Sequence, residues 1–248
     1  MASVTKRVEE PLTPARASYH HGDLRRTLLE TALRLIAERG PEGFSLREAA
    51  REVSVSPAAA YRHFADKPAL LAALAADGHG RLASEMEKAA ARVPPSASAP
   101  ARAVKALAAI GQAYVDFAVK NPSFFRVMFG PALLSEGFVP CCGAAGRDAY
   151  QILGDTLDGL VASGAIPAER RPGAEVAVWS SVHGLATLLV DGALPLSPRQ
   201  RGAAFQLVAR HVLLALGCDE PLVPPAPEMG RGFHPPRPPP GLSAGRPR

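Results

Sequence analysis

Apolar residues recur every three or four positions through most of the chain, and no long segment alternates apolar with polar residues. A period of three to four is that of an α-helix, whereas alternation would indicate a strand with one solvated face. The pattern therefore predicts an all-α protein. Glycine and proline mark where helices should end, as at Gly40 with Pro41 and at Gly130 with Pro131.

The stretch from Ser45 to Phe64 predicts two short helices joined by a tight turn. The Ser45 side chain can accept a hydrogen bond from the amide of Glu48, and the Glu48 side chain can return one to Ser45. Ser56 can cap a second helix that begins at Pro57, a favoured first helical residue. Two short helices separated by three to four residues form a helix-turn-helix.

Longer helices are predicted on both sides of this pair. Asp23–Arg39 should form a supporting helix, and Phe44 should fill the core between the three helices. A helix from Pro68 to about Ala91 should connect this domain to the rest of the chain. Gly78 and Gly80 lie within it, where they reduce helix stability and can permit a bend.

The sequence SLREAAREVSVSPAAAYRHFADKPALL resembles the N-terminal domain of TetR-family transcription regulators, and the similarity extends upstream to YHHGDLRRTLLETALRLIAERGPEGF. The order of residue types from Tyr61 to Lys67 is the most specific part of the match. The resemblance implies a domain that binds double-stranded operator DNA. Ser54 stands where the family usually has glycine, so its backbone must accept a positive φ or the turn must bend differently.

The residue types at the start of the second helix limit how bases can be recognised. Pro57, Ala58 and Ala59 have no side chain that can form bidentate hydrogen bonds with guanine or adenine. Base recognition is therefore expected from Arg47, whose position resembles one that reaches a base edge in the family, from the Ser56 hydroxyl, and from alanine contacts with thymine methyl groups. Tyr61, Arg62, His63 and Lys67 supply donors for phosphates. The predicted DNA-binding residues are Ser45, Arg47, Ser56, Pro57, Ala58, Ala59, Tyr61, Arg62, His63 and Lys67.

A linker rich in proline and serine over residues 93–100 precedes a second helical region. Its predicted helices cover 101–120, a short segment after Asn121, 147–163, 173–190 and 198–216. These helices suit a bundle. The positions predicted to face inward in the last two are Val176, Trp179, Val182, Ala186 and Leu189, followed by Phe205, Val208, Val212 and Leu216.

The runs WSSVHG and NPSFFRVMFG resemble the WHG-type C-terminal domain of one branch of TetR-like regulators. The resemblance implies a homodimer in which helices 173–190 and 198–216 of each subunit form a four-helix interface, with Gly184 allowing close approach. Two DNA-binding domains on a two-fold axis would read a roughly palindromic operator. The candidate ligand-binding residues, each of which also fits an ordinary core, are Tyr114, Phe117, Phe125, Met128, Trp179 and His183.

Composition and charge add little to this interpretation. The chain of 248 residues has a formal net charge of +5, but residues 16–67 contain nine Lys or Arg and seven Asp or Glu, so charge alone does not identify DNA binding. Cys141, Cys142 and Cys218 have neither metal-ligand spacing nor an even number, which favours a reducing cytoplasm. The adjacent His20 and His21 have no partners at ligand spacing, and no metal or cofactor is predicted.

The favoured hypothesis is a cytoplasmic, dimeric repressor that a small-molecule ligand releases from its operator. An activator or a DNA-binding protein without a ligand remains an alternative. An enzyme that uses His183 with Asp191, or a cysteine nucleophile, has little support because positions i and i+8 lie about two helical turns apart. No apolar run approaches the roughly 20 residues of a membrane span. The predicted organisation is a disordered arm (1–18), a DNA-binding domain (19–67), a connecting helix (68–92), a linker (93–100), a ligand-binding and dimerisation domain (101–217) and a disordered proline-rich tail (218–248).

Overall fold

The computed structural model describes residues 21–95, 98–130 and 142–219. The predicted arm, nearly all of the predicted tail, and Cys141 lie outside these residues. Within them all long elements are helices, which confirms the predicted fold class. They are α1 His21–Arg39, α2 Leu46–Glu52, α3 Pro57–Tyr61, α4 Lys67–Ala91, α5 Ala99–Lys120, α6 Pro122–Met128, α7 Ala149–Ala162, α8 Ala174–Val190 and α9 Pro198–Ala215, with a short 3-10 helix at Ala168–Arg170.

Side-chain caps set the starts of most helices. The Ser98 side chain accepts a hydrogen bond from the Ala101 amide, so α5 begins at Ala99, two residues earlier than predicted. Ser45 accepts from the Glu48 amide as predicted. The return bond from Glu48 is absent, because its carboxylate pairs with Arg39 of α1. That ion pair ties α2 to α1 instead of completing a capping box.

The long helix α4 joins the first three helices to the second domain. It packs against α1 at one side and against α5, α6 and α7 along its length. Gly78 permits close helix packing here, whereas the sequence suggested a bend: a β-carbon at this position would lie 2.6 Å from Sδ of Met128 and 3.1 Å from the Phe124 ring, both in α6. A larger residue here would therefore force the Met128 side chain to shift.

The inward face of α8 differs from the prediction at two positions. Val176 is 60% exposed and Trp179 is 39% exposed, whereas the buried residues of α8 include Val178 and Leu185. This helix carries apolar residues around most of its circumference, so spacing alone could not identify the face that packs on the bundle. None of the described helices is both long and apolar enough to cross a membrane.

The turn between α2 and α3 provides a test of the local fold. Ser54 adopts φ 57°, the only positive φ at a non-glycine among the described residues. We predict that Ser54→Val lowers the free energy of unfolding by about 1–2 kcal/mol, because a β-branched side chain clashes in the left-handed conformation.

Ser54→Gly is the matched control, because glycine accepts this φ while losing more backbone entropy on folding. Urea denaturation should therefore place Ser54→Gly near the wild type and Ser54→Val clearly below it. Equal stability of the two variants would show that the turn does not need a positive φ.

Candidate DNA-binding face and ligand cavity

The turn after α2 fixes the direction in which α3 points. The Ser54 amide donates to the carbonyl oxygen of Arg51 and the Val55 amide donates to that of Ala50, both at 3.0 Å. Val55 is half-buried against the core. The side chain of Ser56 then accepts a bond from the Ala59 amide at 3.2 Å and starts α3. These bonds hold the two helices in a helix-turn-helix.

One side of α3 is buried and the other is open to solvent. Ala60 is fully buried, and Ala59 is partly buried against the core. Pro57, Ala58 and Tyr61 are exposed. The small residues and the ring of Tyr61 therefore form an outward surface with few charges.

The arginines around this surface differ in whether an acid neutralises them. Arg34 pairs with Glu38 and with Glu52, at 3.2 and 2.6 Å. Arg47 and Arg62 are exposed, and neither forms an ion pair within the part of the chain that the structure describes. These two side chains are therefore available to DNA, Arg47 on α2 and Arg62 directly after α3.

Three other predicted DNA-binding residues also have contacts inside the domain. Ser45 and Ser56 both use their side-chain oxygens as helix caps, although each hydroxyl can still donate a hydrogen bond. His63 is half-buried. The second and third helices thus use part of the predicted contact set for their own folding.

Lys67 is held by the loop that precedes α2. Its Nζ lies 3.3 Å from the carbonyl oxygen of Glu42, 3.5 Å from the Glu42 carboxylate and 5.1 Å from the centre of the Phe44 ring. The Asp66 carboxylate caps α4 by accepting from the Ala69 amide at 2.7 Å. An acid at this helix start opposes anion binding. A phosphate contact by Lys67 would have to compete with Glu42.

An apolar cavity of about 300 Å³ lies in the second domain, between α4, α5, α7, α8 and α9. Tyr114 and Trp179, two of the six candidate ligand residues, line it. Phe117, Phe125, Met128 and His183 do not, since Met128 packs against Gly78 and Phe125 lies among the aromatic rings behind Tyr114. Phe117 borders a surface groove next to α4 and α5. The wall also contains residues that the sequence analysis did not select, including His79, Phe129, Asp148, Tyr150 and Phe205.

A chain of hydrogen bonds connects the cavity wall to His183. Trp179 Nε1 donates to the Tyr114 hydroxyl at 3.3 Å, and that hydroxyl lies 2.8 Å from His183 Nδ1. Burial lowers the pKa of His183, which favours the neutral ring. The hydroxyl accepts a hydrogen bond from tryptophan and forms a second one with His183 Nδ1. Burial also raises the pKa of Tyr114, which keeps the hydroxyl protonated.

The aromatic cluster extends from the cavity to α6. Phe125 and Phe129 lie 5.3 and 4.6 Å from the His183 ring, between ring centres. Arg126, between them, donates to the carbonyl oxygen of Val190 at 2.8 Å. The short helix α6 also packs against α1 of the helix-turn-helix domain. It thus contacts both the DNA-binding domain and the wall of the cavity.

Comparisons with known proteins agree with both domains. Residues 28–74 match the family model described as bacterial regulatory proteins, tetR family, and residues 107–212 match the one described as tetracyclin repressor-like, C-terminal domain. The chain belongs to the TetR family. This confirms the resemblance seen in the sequence, whereas the WHG-type branch stays a prediction.

Individual relatives are similar over different lengths. Two curated proteins of Haemophilus influenzae strains, both named nucleoid occlusion factor SlmA, are 35% identical over 102 residues, which is 41% of this TetR-family chain and 44% of each relative. The chain thus matches less than half the length of these relatives.

Solved structures match most of the described fold. A protein of unknown function from Rhodococcus sp. RHA1 is 30% identical, with a TM-score of 0.66, over 81% of this chain and 99% of that one. A regulatory protein of the tetR family from Rhodococcus RHA1 is 20% identical, with a TM-score of 0.57, over 79% of this chain and 98% of that one. The second likeness concerns the fold alone.

Metal ligation is not indicated by the described residues. Among them no group of three or more His, Cys, Asp and Glu side chains is placed to hold a metal ion. Cys142 is exposed and Cys218 is buried, 76 positions apart along the chain.

Arg62 has no ion-pair partner among the described residues, so its proposed contact with a DNA phosphate can be tested through nonspecific DNA affinity. We predict that Arg62→Ala weakens binding to duplexes of any sequence and reduces the slope of log affinity against log salt by about one unit, because one phosphate contact is lost. Fluorescence anisotropy at several salt concentrations measures both quantities.

Arg102→Ala is the matched control, since Arg102 is an exposed arginine on α5, outside the helix-turn-helix domain. An equal loss in the two variants would show that only net charge matters and that Arg62 makes no specific phosphate contact.

Proposed function

We propose that the protein is a DNA-binding transcriptional repressor that acts as a homodimer and is released from a palindromic operator by a small molecule. The observation that carries the proposal is the outward face of the helix-turn-helix, where Arg47 and Arg62 are exposed without an acidic partner among the described residues. The proposed DNA contacts are the ten residues predicted from the sequence. Arg47 and Arg62 are the foremost of these.

Direct base recognition would be limited on this face. Pro57, Ala58 and Ala59 offer methyl and methylene contacts only, so thymine methyl groups are the base features they can recognise. Arg47 and Arg51 are both exposed on α2 without an ion pair among the described residues. Only Arg47 stands at a position that resembles a base-contacting one in the family. We propose that Arg47 recognises a base edge and that Tyr61, Arg62, His63 and Lys67 hold phosphates.

The outer faces of α8 and α9 support a dimer through these helices. Val176, Leu188, Leu207 and Leu214 are 60%, 47%, 40% and 59% exposed. A β-carbon at Gly184 would have no described atom within 4 Å, so packing within one chain does not explain this glycine. Exposed large apolar side chains on neighbouring helices are typical of protein interfaces. We propose that two copies associate here, which places their DNA-binding domains on a two-fold axis.

The proposed release mechanism uses α6. A ligand in the cavity would press on Tyr114 and Phe129, which contact the rings of Phe125 and His183. Movement of α6 would displace α1 and α4, and the distance between the two DNA-binding domains would change. A differential affinity of a few kcal/mol between the two states is sufficient for such a shift.

A second candidate function is DNA binding without a ligand. The curated relatives at 35% identity are named nucleoid occlusion factors, a name that refers to no small-molecule ligand. An enzyme gains no comparable support. His183 is bonded to Tyr114, and Asp191 lies 3.6 Å from Arg126, so these two residues are not paired with each other.

Selection from a random duplex library tests the proposed DNA recognition. Purified protein at fixed moderate salt should enrich a two-fold symmetric motif, because each DNA-binding domain of a dimer reads one half-site. The same selection with Arg47→Ala should lose the preference at one base pair in each half-site. An unsymmetric motif would contradict the dimeric mode, and no enrichment would contradict sequence-specific recognition.

The proposed interface predicts a change in oligomeric state. Leu214→Asp places a charge at an exposed apolar position of the proposed interface, so the dimer should dissociate into monomers in sedimentation velocity at micromolar concentration. Operator affinity should fall with it.

Ala162→Asp introduces the same charge at an exposed position of α7 and should remain dimeric. A monomeric wild-type protein, or a Leu214→Asp variant that stays dimeric, would rule out this interface.

A further inference from the structure

The cavity in the second domain is unusual for the way in which its polar groups are already paired. Its wall is formed largely by aliphatic and aromatic side chains. The Trp179 N–H donates to the Tyr114 hydroxyl, and that hydroxyl is hydrogen-bonded to His183. His79 is bonded to the backbone of Met128. These groups therefore have little capacity left for a polar ligand.

Positive charge is absent from the described part of the wall. None of the described residues that line the cavity is a lysine or an arginine. Residues 131–141, which precede α7, contain neither type in their sequence PALLSEGFVPC. The arginine next to the wall in sequence, Arg147, pairs with Asp155 at 2.8 Å and lies 3.8 Å from Glu87. A carboxylate, sulfonate or phosphate in this cavity would find no counter-ion among these residues.

A single acid stands at one end of the described wall. The Asp148 carboxylate caps α7 by accepting from the Gln151 amide at 2.8 Å, and Tyr150 follows it in the helix. One oxygen of this carboxylate is thus used by the backbone. The other oxygen can accept a hydrogen bond from one donor, but a single carboxylate is a weak partner for a fully buried cation.

We propose that the cavity binds an uncharged, mainly apolar molecule whose one polar group, a hydrogen-bond donor, lies at the end formed by Asp148 and Tyr150. The inference rests on the proposed function for its regulatory meaning, but binding itself does not require DNA. Burying an unpaired charge among these residues is strongly unfavourable, whereas an apolar body replaces water against carbon. The volume of about 300 Å³ is at the lower end of ligand pockets and suits a compact molecule.

The single tryptophan of the chain provides the readout. Trp179 lies in the cavity wall, so energy transfer from its indole to a bound naphthylamine reports a ligand at this site. The probes are N-phenyl-1-naphthylamine, which is neutral with one N–H donor, and 8-anilinonaphthalene-1-sulfonate, which adds a sulfonate to the same skeleton. A naphthylmethyl-trimethylammonium salt is the cationic probe, and its binding is followed by displacement of the neutral one.

The neutral probe should bind to the full chain more tightly than the sulfonate by about tenfold or more, because the sulfonate would be buried without a counter-ion. The cation should displace the neutral probe only at a similarly higher concentration. Equal or tighter binding of either charged probe would overturn the proposal.

A filling variant distinguishes the cavity from other apolar surfaces. Ala149→Phe adds a ring to the wall at the start of α7 and should weaken the neutral probe about tenfold or more, by excluding it from the space it fills. Ala162→Phe, at the exposed end of the same helix, should bind like the wild type. Circular dichroism verifies that both variants fold. Unchanged binding to Ala149→Phe would place the probe elsewhere and refute the assignment.

The effect on DNA is measured separately. If the neutral probe binds as expected but does not weaken operator binding, the ligand class stands and release by a ligand fails. If the probe does not bind, the ligand class fails while DNA recognition is untouched.

Discussion

The close approach of α6 to α4 at Gly78 is the constraint on which the link between the two domains depends. A side chain at this position would meet the Met128 side chain at 2.6 Å, so any larger residue requires Met128 of α6 to shift. From there α6 packs on α1, and its Phe125 reaches the aromatic rings beside the cavity. One short helix therefore contacts the elements that would bind DNA and those that would bind a ligand. A change in the position of α6 would shift both α1 and the aromatic rings beside the cavity, because packed interiors do not deform without an energetic cost.

Much of the fold could be predicted because the signals are local. Ser45 and Ser56 cap helices through bonds three residues away, and the serine at position 54 accepts the positive φ that the turn requires. The ion pair of Glu48 with Arg39 was not predictable in this way, because it joins residues of different helices. The contact of Lys67 with Glu42 is a long-range feature of the same kind. Local spacing predicted where the helices end, whereas tertiary contacts determine which partners the Glu48 and Lys67 side chains have.

The cavity was less predictable than the helix-turn-helix. Tyr114 and Trp179 are candidates because ligand pockets are mostly apolar with a few polar groups, a composition that does not distinguish a cavity wall from a core. Val176 shows the same ambiguity, since α8 is apolar on several faces and only packing decides which is inward. Tyr150 and Asp148 reach the cavity because the capping box starts α7 at this point and α7 packs against α4 and α8. No periodicity in the sequence indicates that packing.

The central claim is that the α4–α6 contact couples the second domain to DNA binding, and operator affinity of Gly78→Ala against Gly159→Ala tests it most directly. Both substitutions raise helix propensity by the same amount, but at position 159 the new methyl group has no neighbour within 4 Å. Position 78 lies about 16 Å along α4 from Lys67, so the substitution does not touch the predicted DNA contacts directly. Displacement of α6 should weaken operator binding of Gly78→Ala by about fivefold or more, with Gly159→Ala unchanged. A folded Gly78→Ala protein with wild-type operator affinity would contradict the coupling.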